Sequence, residues 1–181
     1  MALYFITGNE DKFKEVAAII DGIEQYDIDI PEIQELDSQK IIAAKLQEAG
    51  RHHEGAFIVE DTSLSLIALS GLPGPLIKWF LKTIGNEGLS EIASRANEYH
   101  AEAKTTIGYM SSNGDIHYFE GSLQGEITTP RGNNGFGWDK IFIPEGHTRT
   151  LAEMNAEEKN SISMRGEAAR KLALFLNTGA I

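Results

Sequence analysis

The sequence contains no cysteine, which removes disulfide frameworks, thiolate metal sites and thiol nucleophiles together. Its five histidines are scattered and fit no recognised zinc spacing, so any metal must be bound through oxygen. No run approaches the ~18 apolar residues that a membrane span needs. The opening Met-Ala-Leu-Tyr-Phe-Ile enters a strand without a basic region or cleavage site, so the expected location is cytoplasmic, with no membrane partner. Positive charge is scarce as well. Sixteen Lys and Arg stand against 27 Asp and Glu, a net charge of -11, which argues against non-specific nucleic-acid binding because that needs a cationic face. Lysines gathered in one place would therefore be conspicuous. Repeats, low-complexity stretches and linkers are absent too. What remains is 181 residues with 41% hydrophobic content, enough for one domain over residues 1–181 with a proper core.

Apolar periodicity then assigns the elements. Phe13, Val16, Ala17 and Ile20 follow the i, i+3, i+4, i+7 spacing of an amphipathic helix over residues 10 to 21, stopped by Gly22. Residues 24 to 30 read as a strand, Ser38 as the cap of a helix carrying Ile42, Leu46 and Ala49, and Ala56 to Val59 as a buried strand. After Gly71-Leu-Pro-Gly-Pro75, Pro75 suits the first position of a helix through Ile84, and another helix covers about 88 to 96. Two long strands near 99 to 111 and 115 to 129 meet at Asn113-Gly114, a hairpin signal. A last helix, roughly 161 to 177, puts Ile162, Ala169, Leu172, Ala173 and Leu176 on one stripe. Early β-α-β-α-β units and a late hairpin imply an α/β fold with a mixed, strongly twisted sheet flanked by helices.

Four segments carry chemistry beyond what packing requires. In Tyr4-Phe-Ile-Thr-Gly-Asn-Glu-Asp-Lys12 a strand turns through Gly8 into a helix whose free N–H groups and dipole suit a phosphate, with Lys12 adding a full charge. The same residues equally read as an ordinary turn in which Asn9 caps the helix. In Phe57-Ile-Val-Glu-Asp-Thr-Ser63 a strand ends in two carboxylates and two hydroxyls. Glu60 and Asp61 should point to opposite sides if the strand persists, so one of them is expected to face a site. Glu32, after Pro31, is a further carboxylate; converging with Asp61 it makes a hard oxygen site suited to magnesium. In Asn133-Asn-Gly-Phe-Gly-Trp-Asp-Lys140, glycines beside Phe136 leave its ring open to stack on a flat base, whereas a core-plugging role for the aromatics is as plausible. Glu157-Glu-Lys-Asn-Ser-Ile-Ser-Met-Arg165 opens the last helix with hydroxyls and cations, a match for an anion or a carbonyl-bearing base. Lys45 and Lys78 lie on expected helices.

In this order, the four segments closely resemble the inosine triphosphate pyrophosphatase family over nearly the whole chain. The marks are Thr7-Gly-Asn9 with Lys12 and Glu15; Glu60-Asp-Thr62 followed by Gly71-Leu-Pro-Gly-Pro-Leu-Ile-Lys-Trp-Phe80; Phe136-Gly-Trp-Asp139; and Glu158-Lys-Asn-Ser-Ile-Ser-Met-Arg165. The resemblance implies a two-lobed α/β homodimer with a central cleft, magnesium dependence, and hydrolysis of non-standard purine nucleoside triphosphates to a monophosphate and pyrophosphate. It implies that Thr7, Gly8, Asn9 and Lys12 hold phosphates, that Glu32 and Asp61 bind magnesium, and that Lys45, Lys78 and Lys159 contact the triphosphate. Thr62 falls within its second motif. Phe136, Gly137, Trp138, Asp139 and Arg165 would enclose the nucleoside, Arg165 donating to the 6-oxo group. Where the family usually has Ser-His-Arg, this chain has Ser163-Met164-Arg165, so Met164 stands in the place of a histidine contact. Asp61 and Lys12 are the expected catalytic pair, with Asp61 accepting a proton from water or holding the metal that acidifies it. A related pyrophosphatase for pyrimidine or modified nucleotides, and a nucleotide sensor without turnover, are the rival readings.

Overall fold

The computed structural model describes residues 2–178. In chain order the regular elements are β1 (Leu3–Ile6), α1 (Glu10–Ala17), β2 (Ile23–Tyr26), α2 (Ser38–His52), β3 (Ala56–Leu66), β4 (Pro73–Gly74), α3 (Ile77–Thr83), α4 (Gly85–Ala96), β5 (His100–Met110), β6 (Ile116–Ile127), β7 (Phe142–Pro144), α5 (Ala156–Ile162) and α6 (Met164–Thr178). The seven strands form one mixed sheet in the order β2-β1-β3-β5-β6-β7, with β4 paired to β3. β1 is parallel to both β2 and β3, while β4 and β7 pair antiparallel to β3 and β6. The mixed α/β sheet expected from the sequence is thus present. No helix among the described residues is long and apolar enough to cross a membrane.

The chain divides into two compact units. The first comprises the chain up to Asp61, Thr105–Gly121 and the chain from Met164 onward; the second comprises Thr62–Lys104 and Ser122–Ser163. In the first unit the period-2 alternation of β3 sorts its side chains onto two cores. Ala56 and Ile58 join Phe5, Val16, Ile107, Ala169 and Leu172, with α1 and α6 on that face. Phe57 and Val59 join Ile42, Leu46 and Ala49 of α2. Glu60 and Asp61 continue the alternation, one toward each face. At Gly121 an added Cβ would come within 2.0 Å of the Met164 carbonyl oxygen, so the absence of a side chain lets the start of α6 pack on β6.

The second unit is built on buried Leu64, Ile77, Leu89, Ala93, Ile141, Phe142 and Leu151. Trp138 meets Phe142 edge-on, with ring centroids 5.6 Å apart. Asn134 donates from its backbone to the Ala152 carbonyl and from its side chain to the Met154 carbonyl, tying the glycine-rich loop down at its base.

Several boundaries differ from the sequence-based expectation, each for a local reason. α1 ends at Ala17, and Gly22, at φ 75°, serves the turn into β2 rather than the helix end. β2 stops at Tyr26. Asp37, not Ser38, caps α2: its carboxylate accepts the Gln39 N–H, and Ser38 is already helical. β3 runs on to Leu66 because β4 supplies a partner beyond Val59. Pro75 lies in the turn before α3, which starts at Ile77, and α4 begins at Gly85. The last helix is broken at Ser163, whose extended backbone (ψ 150°) separates α5 from α6.

Candidate active site

In the first unit, the β1–α1 turn is held by its own side chains. The Asn9 backbone N–H donates to Thr7 Oγ1, and Asn9 Oδ1 accepts the N–H groups of Asp11 and Lys12 at 3.0 Å. The capping role weighed for Asn9 is therefore realised. At Gly8 an added Cβ would lie 2.8 Å from an Asp27 carboxylate oxygen, so the turn runs close beside that side chain. Lys12, one turn into α1, reaches back to β3, its Nζ 2.7 Å from Glu60 Oε1.

Glu60 is the hub of this unit. Arg165, 2% exposed at the start of α6, donates from Nε to Glu60 Oε2 at 2.7 Å and from NH2 to Oε1 at 3.1 Å, and its NH1 reaches Glu15. Burial pushes the Glu60 carboxyl up, but the charges and hydrogen bonds of Arg165 and Lys12 outweigh it and hold the group well below the usual carboxylate range. Burial likewise opposes the charge on Arg165, and the carboxylates of Glu60 and Glu15 more than restore it. Arg165, expected against the base, thus has its Nε, NH1 and NH2 on carboxylates inside this unit; a guanidinium removed from water needs such partners. Met164 beside it is buried.

On the opposite face of β3, Asp61 Oδ2 accepts a 2.6 Å hydrogen bond from the Ser38 hydroxyl of α2. Burial raises the Asp61 carboxyl above the ordinary aspartate range; the Ser38 bond and the charges of Lys45 and Lys12 oppose the rise, and Glu32 adds to it. Lys45 Nζ is 3.1 Å from Glu32 Oε2. Glu32, Lys45 and Asp61 are therefore brought to one place. Among the described residues no three His, Cys, Asp or Glu side chains group as a metal cage. The donor set of Asp61 and Glu32, two hard carboxylates, suits magnesium, which binds through one or two carboxylates plus substrate phosphates.

In the second unit, Asp139, Lys159 and Phe136 form a cluster of their own. Lys159 Nζ donates to Asp139 Oδ2 at 2.6 Å and lies 4.5 Å from the Phe136 ring centroid, while Asp139 Oδ2 also accepts the Phe136 N–H at 2.8 Å. Both charged groups are buried, which a carboxylate and an ammonium tolerate only as a pair. Gly135 and Gly137 adopt positive φ on either side of Phe136, so the loop folds back on Asp139. Asn86 of α4 donates to the Gly137 carbonyl. Phe136 is half-buried whereas Trp138 plugs the core, so the two aromatics divide the two roles weighed for them. Lys78 is exposed on α3, 6.0 Å from the Trp79 ring, and Thr62 is half-buried within β3.

Comparison with known proteins decides what this arrangement belongs to. The model of the Ham1 family matches residues 3–175. The chain belongs to the Ham1 family. Within it, the chain is similar to the inosine triphosphate pyrophosphatase of Schizosaccharomyces pombe, at 43% identity over 181 residues that cover 98% of this chain and 96% of the relative. It is 40% identical to the inosine triphosphate pyrophosphatase of Yarrowia lipolytica, covering 97% and 96% of the two chains. A solved Ham1 protein from Coxiella burnetii superposes with a TM-score of 0.85 at 26% identity, over 99% of this chain and 100% of that one. The geometry adds Glu60, Glu15 and Ser38, to which the sequence assigned no part in the site. Glu15 was legible as a motif residue, Glu60 as a strand-end acid and Ser38 only as a helix cap, because its partner lies 23 residues away.

Proposed function

We propose that this chain is a nucleoside triphosphate pyrophosphatase that hydrolyses inosine, deoxyinosine and xanthosine triphosphates to the monophosphate and pyrophosphate, keeping non-standard purines out of the nucleotide pool. The observation that carries the chemistry is Asp61: a buried carboxylate at β3 with the positive charges of Lys12 and Lys45 acting on it, in a chain otherwise poor in cations. The Asp61 carboxylate can accept a proton from an attacking water. Water oxygen attacks the α-phosphorus, the bond from that phosphorus to the bridging oxygen breaks, the proton passes to Asp61, and pyrophosphate leaves. Lys12 and Lys45 neutralise the phosphate oxygens as charge accumulates on them. Glu32 and Asp61 would hold magnesium, which supplies charge neutralisation on the phosphates when bound.

In the second unit, Phe136 offers a ring for a flat purine and Lys159, beside that ring, offers donors only. Such a cation favours the 6-oxo acceptor of hypoxanthine or xanthine and opposes the 6-amino donor of adenine. Sites that depend on a polar contact reject the mismatched analogue by ~10⁴ or more. Pyrophosphate release across inosine, xanthosine, guanosine, adenosine and uridine triphosphates with magnesium tests this reading. Inosine and xanthosine triphosphates should turn over fastest, and comparable hydrolysis of adenosine and inosine triphosphates would overturn it. We also propose magnesium dependence, a cytoplasmic location and a homodimer. Light scattering of the purified protein checks the last.

A further inference from the structure

We propose that Ser38 is the positioning residue for Asp61: it clamps one carboxylate oxygen so that the other is presented for catalysis. The inference rests on the role given to Asp61 above. Ser38 is the first helical residue of α2, one position past the cap, so the task of accepting a free N–H of the first turn falls to the residue before it. Here that task is taken by Asp37, which accepts the Gln39 N–H at 2.9 Å. The Ser38 hydroxyl is released for a longer-range bond, and it donates to Asp61 Oδ2 at 2.6 Å, a distance typical of a hydroxyl donating to a charged oxygen. Among the described residues it is the hydrogen-bond donor to Asp61. Asp61 is buried, and its neighbours Lys12, Lys45 and Glu32 act on it through charge.

Charge attracts without fixing an angle; a hydroxyl does both. Without Ser38, the carboxylate of Asp61 would turn toward whichever ammonium lies nearer, and a reacting group displaced by about 1 Å loses on the order of 10²-fold in rate. Asp37 and Ser38 follow the irregular segment that carries Glu32, and α2 carries Lys45, so one helix start sets the carboxylate while the same helix brings the cation. The division of labour between two adjacent residues, one capping and one clamping, accounts for both side chains at once.

The test compares Ser38→Ala and Ser38→Thr in the intact protein, each confirmed as folded by thermal melting. Ser38→Ala should lose about 10–100-fold in kcat, the usual effect of removing an orienting partner. Calorimetric binding of a non-hydrolysable inosine triphosphate analogue with magnesium should stay within about twofold, less than one modest hydrogen bond. Ser38→Thr, which keeps the hydroxyl, should recover most of the rate. In the Asp61→Asn background the Ser38→Ala effect should shrink to below about threefold, because a residue acting through Asp61 has nothing left to act on. If Asp61→Asn is crippled and Ser38→Ala turns over like wild type, or loses as much in both backgrounds, the role of Ser38 is refuted and that of Asp61 stands. If Asp61→Asn itself turns over like wild type, the reading of Asp61 fails, and this inference with it.

Discussion

Replacing Arg165 by methionine removes the guanidinium while keeping most of the side-chain volume, so the response reports charge rather than a cavity. In the folded protein Arg165 holds Glu60 through two of its nitrogens and Glu15 through the third. Breaking a buried ion pair by deleting one partner costs about 3–5 kcal/mol, since the remaining charge stays buried without its counter-charge. Lys12 still holds Glu60 Oε1 at 2.7 Å, which places the expected loss at the low end, about 3 kcal/mol. For a chain of 181 residues that corresponds to a fall in Tm of roughly 6–12 °C. The pH dependence has a definite sign. Glu60's folded pKa lies below its unfolded value of about 4.3, so its contribution is complete above that pH and is lost as the pH falls through the folded value. Without Arg165, burial of Glu60 is opposed by less positive charge, so the variant tolerates protonation better. The stability gap between the two proteins should therefore be widest near neutral pH and close progressively below about pH 4–5. Urea unfolding followed by far-UV circular dichroism at a series of pH values measures it. A loss under about 1 kcal/mol at pH 7, the value of an exposed pair, would refute the buried-hub reading, as would a gap that widens on acidification.

Other expected outcomes bear on the site and the fold. Asp61→Asn should lose about 10²–10⁴ in kcat, the contribution of a positioned base, while a triphosphate analogue still binds by calorimetry; retention of more than about a tenth of the rate would remove Asp61 from catalysis. Phe136→Ala should raise KM for inosine triphosphate by roughly 5- to 150-fold, since stacking a base on an aromatic ring contributes ~1–3 kcal/mol, and an unchanged KM would place the base elsewhere. Asp139→Asn leaves the buried Lys159 ammonium without its counter-charge and should destabilise by about 3 kcal/mol in denaturant titration; a shift within error would show that pair to be dispensable. Gly121→Ala forces a methyl against the Met164 carbonyl and should cost about 1–3 kcal/mol, read as a lower urea midpoint, whereas an unchanged midpoint would mean that α6 can move away.

Much of the fold was legible along the chain because its signals are local. The helical spacing of Phe13 and Val16, the hairpin dipeptide Asn113-Gly114 and the apolar run before Glu60 each depend on neighbours a few residues apart, and each element is present. The four ordered motifs pointed to the family in the same way. Element ends were less legible: the ladder partner that extends β3, and the break at Ser163, depend on contacts made by distant segments. The composition also pointed to an oxygen-bound metal as the expectation, because the chain has no thiol and its five histidines are scattered. What only the tertiary structure decided is which charges meet. Strand alternation said that Glu60 and Asp61 face opposite ways, but not that Arg165, 105 residues away, would close on Glu60, nor that Ser38 would reach Asp61. Those pairings arise from burial. Once packing withdraws a carboxylate or a guanidinium from water, the desolvation cost must be met by whichever opposite charge or donor the fold delivers, and sequence separation carries no information about which one that is.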